Sequence, residues 1–348
     1  MSRRPSIVRL SAVLALAAAA GVAQAGPDHQ RAGAAHAAET TPLRELVPFE
    51  QPDLWIGSDA PGLAIAEFVK GESVHAFEED RVYVVEFWAT WCGPCIRAFP
   101  HLSELQKEHA DDVTFIGVNI WERPGETQAA KITRIKDFVE EQGDRMGYTV
   151  AVEADGKMAE HWMKAANQNG IPAAFIVDGA GKVAWMGHPM GIDEPLESVI
   201  EGTNSYEKTA AEIRESSLMM AAYQKFMQDI ASEDAATAKM AYRIADALAA
   251  ESDNAGLLNA VAWTIIDEDG RRPIPHRDFE AGYRIATLAG EASEWKDPSI
   301  LDTVALAAFK VGDRNRAIEL QEKAIGLLPD GADASEYEDR LEMFKSEG

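Results

Sequence analysis

The chain has 348 residues, 46% of them apolar and 26% charged, with 33 Lys+Arg against 58 Asp+Glu for a net charge of −25. That is enough apolar material for a buried core, and at about 100–200 residues per domain it points to two domains. So acidic a chain repels phosphate backbones, which argues against nucleic-acid binding, and only 2 cysteines and 26 glycines exclude a disulfide-stapled scaffold and a collagen-like repeat.

The first 25 residues carry Arg3, Arg4 and Arg9 without an acid, then an apolar run from Leu10 to Ala20, then Ala23-Gln24-Ala25. A positive start, a short apolar stretch and a small-x-small end form the pattern of a secretory signal peptide, here cleaved after Ala25. The apolar run is well short of the roughly 20 residues a spanning helix needs, so no membrane span is expected after cleavage. Residues 26–55, without periodicity, read as a flexible leader.

From residue 56 the pattern is α/β. Ala64–Val69 and Ser73–Phe77 read as short strands around Lys70-Gly71-Glu72. Arg81–Ala89 is a near-continuous apolar run, as in a strand buried on both faces. Helical spacing follows over Ile96–His109, then a strand over Val113–Ile120 and an amphipathic helix over Gln128–Gln142. Tyr148–Val152 reads as a strand and Lys157–Ala166 as a helix. Ala173–Val177 and Lys182–Met186 flank the turn Asp178-Gly179-Ala180-Gly181, and a helix over Asp193–Ile200 closes a domain at residue 203. Beyond Ser205 the chain is all-α, with helices over Ala210–Ser232, Ala235–Glu251, Leu257–Asp267, Phe279–Gly290, Ser299–Val311, Arg314–Leu327 and Ser335–Ser346.

The chemistry sits in Trp91-Cys92-Gly93-Pro94-Cys95, between a buried strand and a helix. A thiol at a helix N-terminus meets free backbone N–H groups and the positive end of the dipole. That favours the thiolate, making Cys92 the nucleophile. Cys95, one turn further in, resolves the mixed disulfide. Pro94 lacks an N–H, which costs nothing in a first turn. A structural zinc site would want four ligands, whereas no third cysteine exists and the 8 histidines show no close pairing.

The run Glu86-Phe87-Trp88-Ala89-Thr90-Trp91-Cys92-Gly93-Pro94-Cys95 closely resembles the active-site segment of thioredoxin-fold proteins. With the amino-terminal pattern, the chain is similar to exported thiol-disulfide oxidoreductases of the TlpA/ResA kind. The resemblance covers about Ile56 to Gly202 and includes Gly170-Ile171-Pro172-Ala173, similar to the family's cis-proline loop. It implies an α/β thioredoxin-like domain, a mixed sheet flanked by helices, over residues 56–203. It implies a cis Ile171–Pro172 bond facing the cysteines, with the Ile171 backbone open to a substrate strand. Trp91, Gly93 and Pro94 would shape the docking surface, and Glu86, a buried acid six residues before Cys92, would exchange a proton with Cys95. The dithiol carries the electrons, so no metal or other cofactor is implied. Partners would be protein disulfides and an electron donor in an exported compartment, the bacterial periplasm.

Within residues 206–348, Leu301, Ala305, Gly312, Ala317, Ala324 and Pro329 fall at the spacing of a tetratricopeptide unit, and a weaker unit runs from Ala255 to Gly290 with Trp263 on its first helix. An extended link, Asp269 to Pro275, would join that unit's helices. The expectation is an all-α tetratricopeptide-like domain that either binds a protein partner or packs on the first domain. An adaptor with a mainly binding role, and an oxidase or isomerase with reversed electron flow, are the competing functional readings.

Overall fold

The computed structural model describes residues 41–123, 125–268 and 273–346. The signal peptide (1–25), most of the leader (26–40) and the first part of the 269–275 link lie outside the described residues.

The elements in chain order are α1 (Leu43–Leu46), β1 (Ile65–Lys70), β2 (Val82–Trp88), α2 (Gly93–Glu108), β3 (Val113–Asn119), α3 (Gln128–Gln142), β4 (Thr149–Glu153), β5 (Ala173–Val177), β6 (Val183–Gly187) and α4 (Asp193–Ile200). The helical half adds α5 (Tyr206–Asp229), α6 (Ala235–Glu251), α7 (Ala255–Ile266), α8 (Phe279–Ala292), α9 (Pro298–Lys310), α10 (Arg314–Gly326) and α11 (Ser335–Ser346).

The six strands form one mixed sheet in the order β1-β4-β3-β2-β5-β6. β2 pairs in parallel with β3 and antiparallel with β5, so it runs through the middle, and all seven of its residues are buried. Strand alternation divides them. Val82, Val84 and Trp88 pack with Phe99 and Leu102 of α2, Ile135 of α3 and Leu196 of α4. Tyr83, Val85 and Phe87 pack on the other face with Trp162, Met158, Trp55 and Leu54.

Three expectations need correction. Ser73–Phe77 forms no strand: Gly71, at φ +75°, turns the chain out of β1, and β1 pairs instead with β4. The helix over 157–166 is π-helical at Ala159–Lys164, where the Ala165 N–H reaches the Glu160 carbonyl five residues back. The leader is not loose over its last residues. Leu43 and Val47 are buried in the core of the helical half, and Leu54 and Trp55 in that of the sheet. The Leu43 N–H donates to Glu251 Oε1 at 2.7 Å, and the Arg243 guanidinium to Thr41 Oγ1 at 2.9 Å.

α5 makes the second tie between the halves. Its first turns place Ala210 and Ile213 against the sheet's core, and its last place Ala222 and Phe226 in the helical core. Tyr206, its first residue, donates to the Asp178 carboxylate in the β5–β6 turn. Burial, then that carboxylate, push the Tyr206 hydroxyl up to about 12. The Arg214 guanidinium lies 5.7 Å over the Phe49 ring of the strap that residues 41–55 form between the halves.

Six of the seven described helices of the second half, α5 to α10, start on side-chain caps. Ser205, Asp234, Asn254, Asp278, Asp297 and Asp313 each accept the backbone N–H of a residue two or three further on. Four of these six are aspartates, so part of the acidity serves helix N-termini, at about 1 kcal/mol per cap. Gly312, at φ +87°, makes the turn between α9 and α10, where Ala305, Ala317 and Ala324 are fully buried. No helix among the described residues is long and apolar enough to cross a membrane.

Candidate functional site

β2 ends at Trp88 and the chain turns through Ala89-Thr90-Trp91 into α2. Cys92 is the N-cap of α2, and its sulfur accepts the Cys95 N–H at 3.2 Å. The two sulfurs form a disulfide across Cα atoms 5.3 Å apart. Cys95 is fully buried and Cys92 is 3% exposed, so only Cys92 offers an edge to a partner. Gly93 and Pro94 lie exposed on the first turn of α2. Pro100 lies inside the helix and leaves the Ile96 carbonyl without its usual donor. The Arg145 guanidinium donates to that carbonyl at 2.8 Å, so the helix continues.

The Ile171–Pro172 bond is cis and opens β5. The Ile171 carbonyl oxygen lies 3.7 Å from Cys92 Sγ. In the disulfide that sulfur has no proton to donate, so this is a contact, and it sets the cis-proline loop against the reactive sulfur.

Glu86 is 1% exposed and pairs in register with Gly117 of β3 and Ala174 of β5. Alternation puts its side chain on the face covered by α2, the helix that carries Cys95. Burial pushes its carboxyl well above the usual carboxylate range, and neither oxygen has a hydrogen-bond partner. The Trp88 Nε1 and Tyr148 hydroxyl close by are also unpartnered. A side chain on Gly117 would meet all three: its Cβ would lie 2.8 Å from Tyr148 Cε2, 3.3 Å from Trp88 Nε1 and 3.4 Å from Glu86 Oε2. Burial, then the Glu86 charge, push the Tyr148 hydroxyl well up. Gly117, with no side chain of its own, thus leaves the room that the Glu86, Trp88 and Tyr148 side chains occupy. Sequence reasoning found Glu86 by its place in an apolar run, but no local signal marked Gly117 or Tyr148.

Trp91 is 54% exposed, so it does not serve as core. Its Nε1 donates to the Trp121 carbonyl at 2.9 Å. Behind it lies a network that sequence reasoning missed. The Glu122 carboxylate, with a side chain only 2% exposed, accepts the Thr90 N–H (2.7 Å), the Thr90 hydroxyl (2.8 Å) and Asn119 Nδ2 (2.8 Å), and lies 3.2 Å from the Arg134 guanidinium. Arg134 also grips Glu126 at 2.7 Å, which holds the Glu126 carboxyl below its usual range. The available signal was the set of charged residues Glu122, Arg123 and Glu126 shortly after a buried strand. His188 accepts the Met190 N–H at 3.2 Å and closes a turn, a structural role.

A dithiol–disulfide pair at a helix N-terminus, faced by a cis-proline loop on a central mixed sheet, defines a thiol-disulfide oxidoreductase of thioredoxin fold. Residues 58–201 match the Redoxin family. The thioredoxin of Alicyclobacillus acidocaldarius subsp. acidocaldarius is 33% identical over 90 residues, covering 24% of this chain and 86% of its own. Protein FixW of Rhizobium leguminosarum is 30% identical over 151 residues, so that the chain spans 66% of FixW and the match takes in 42% of this chain. The thiol-disulfide oxidoreductase ResA of Geobacillus kaustophilus is 26% identical over 135 residues, 38% of this chain and 70% of ResA. Among solved structures, the thioredoxin domain of a thiol-disulfide oxidoreductase from Bacteroides vulgatus shares 22% identity at a TM-score of 0.34, covering 44% of this chain and 99% of that one. The chain belongs to the thioredoxin family, with its Redoxin match over residues 58–201.

Proposed function

We propose that the protein reduces protein disulfides in an exported compartment, the bacterial periplasm, through Cys92 and Cys95. The observation that carries this reading is the position of Cys92: N-cap of α2, the more exposed sulfur, and 3.7 Å from the Ile171 carbonyl. The Cys92 thiolate attacks a substrate disulfide, a Cys92–substrate disulfide forms, and one substrate thiolate leaves. Cys95 then attacks the Cys92 sulfur, which re-forms the internal disulfide and releases the second substrate thiolate. Two electrons pass to the substrate, and Glu86, in its ionised form, takes the Cys95 proton and passes it on to the departing substrate thiolate. The Ile171 backbone, Trp91, Gly93 and Pro94 receive the polypeptide around the substrate's cysteine. The amino-terminal pattern from Arg3 to Ala25 supports export. An electron donor must return the pair to the dithiol.

Residues 56–203 form the redox domain in this reading, and residues 206–348 a tetratricopeptide-like stack that holds a protein partner. The buried alanines and the Gly312 turn of the α9–α10 pair support that stack.

The deciding measurement is the Cys92–Cys95 reduction potential, from equilibration against glutathione and dithiothreitol buffers. A value near the thioredoxin figure of about −270 mV supports a reductase, and one near the DsbA figure of about −120 mV reverses the electron flow. Absence of thiol–disulfide exchange, with Cys92→Ser no different from wild type, sinks the redox reading altogether.

A further inference from the structure

The turn after β3 carries a feature the exchange chemistry does not use. Trp121 has a left-handed backbone, φ 52°, and its side chain is 37% exposed. A turn that needs positive φ takes glycine at no steric cost. Here the position holds the largest side chain, and backbone strain of this kind persists only where the surroundings over-determine it. They do so on every side. The Trp121 carbonyl accepts the Trp91 indole at 2.9 Å. Its N–H faces the Glu153 carboxylate, which also accepts the Ala159 N–H at 3.0 Å. The next residue, Glu122, is locked by Thr90, Asn119 and Arg134. Thr90 and Trp91 are the two residues before Cys92, so the same bonds that hold the turn hold the approach to the reactive sulfur.

We propose that Trp121 is a specificity-determining residue, which together with Trp91 receives an apolar side chain adjacent to the substrate's cysteine, and that Glu122 is its positioning residue. This rests on the thiol-exchange reading above. The occupant is the substrate polypeptide itself. The turn is continuous with the Cys92–Ile171 site through the Trp91–Trp121 bond, and an indole half-covered by protein gains by covering the rest with apolar surface. Burying Glu122 under four interactions makes sense if the turn must stay in one place, because pre-organised contacts lose less on binding.

The test uses the reduced full-length protein and two synthetic peptide disulfides, one with Leu and Phe flanking the cysteine and one with Ser in both places. The readout is the ratio of their exchange efficiencies, with KM and kcat separated. The wild type should favour the apolar peptide about tenfold, equivalent to about 1.4 kcal/mol, and through KM. Trp121→Ala should bring the ratio close to one, Trp121→Phe should restore most of it, and Glu122→Ala should lower it. A wild-type ratio near one, or a Trp121→Ala ratio equal to the wild type's, overturns the proposal. Exchange with neither peptide is a different result and overturns the thiol-exchange reading together with the proposal.

Discussion

Leu43 gives a direct measure of how firmly the strap joins the two halves. It is fully buried in the core of the helical half, on a segment with no sheet or long helix to hold it. Replacing it by alanine keeps the backbone bond to Glu251 but removes the buried isobutyl group. Leu→Ala at fully buried sites costs about 2–5 kcal/mol, least where the surroundings can collapse. A short strap can move inward, so about 3 kcal/mol is expected. At about 2–4 °C per kcal/mol for chains of this order of size, the melting temperature should fall by about 6–12 °C. The assay is thermal unfolding of Leu43→Ala and wild type, followed by far-UV circular dichroism for the helices and by tryptophan emission, to which six of the 8 tryptophans contribute from the sheet half, Trp55, Trp88 and Trp162 of its core among them. Both signals should shift together, because the strap and α5 couple the cores. A shift below about 2 °C, or one confined to the helical signal, would refute the reasoning.

Glu86 predicts a pH dependence with a definite sign. Burial holds its proton in the folded state at pH values where the unfolded glutamate, with a pKa of about 4.3, has released it. Its effect on stability is therefore least unfavourable below about pH 4.3, and stability declines as pH rises from there to the folded pKa. Glu86→Gln removes that decline, so the melting temperatures of variant and wild type should diverge steadily from acid to neutral pH, with the variant higher. Parallel curves would show that Glu86 is not held protonated. Glu122→Ala should lower stability by about 3 kcal/mol in urea unfolding, since it strips a buried carboxylate from three donors. The Arg134 share is small, its side chain being 35% exposed and still paired with Glu126. A loss under about 1 kcal/mol would mean that water replaces the carboxylate in this site.

Much of the site was legible before the structure, because its parts are local. Cys92 and Cys95 are one helical turn apart, and Pro94 and the apolar run before them announce a strand passing into a helix. Glu86 stood out as the one acid in that run, and the structure leaves it buried with no partner. The resemblance singled out the Ile171–Pro172 bond, which is cis. The neighbours of these residues were not legible. Tyr148 lies 62 positions from Glu86 along the chain, and both side chains come up against Gly117 of β3. Glu122 and Arg134 reach Thr90 from beyond the next strand.

By itself the sequence determined which segments are helix and strand wherever periodicity or an apolar run was strong, as over 82–88, 128–142 and 235–251, and it determined the redox chemistry through the spacing of two thiols. Those are properties of neighbours along the chain, set by backbone geometry and side-chain type. Tertiary structure alone decided that residues 73–77 leave the sheet, that 159–164 widens into a π-helical turn, and that the strap at 41–55 is buried at both ends. Each depends on which distant surface is available to cover a segment. Leu43 and Trp55 carry no periodic signal, and they are ordered by the two cores they join.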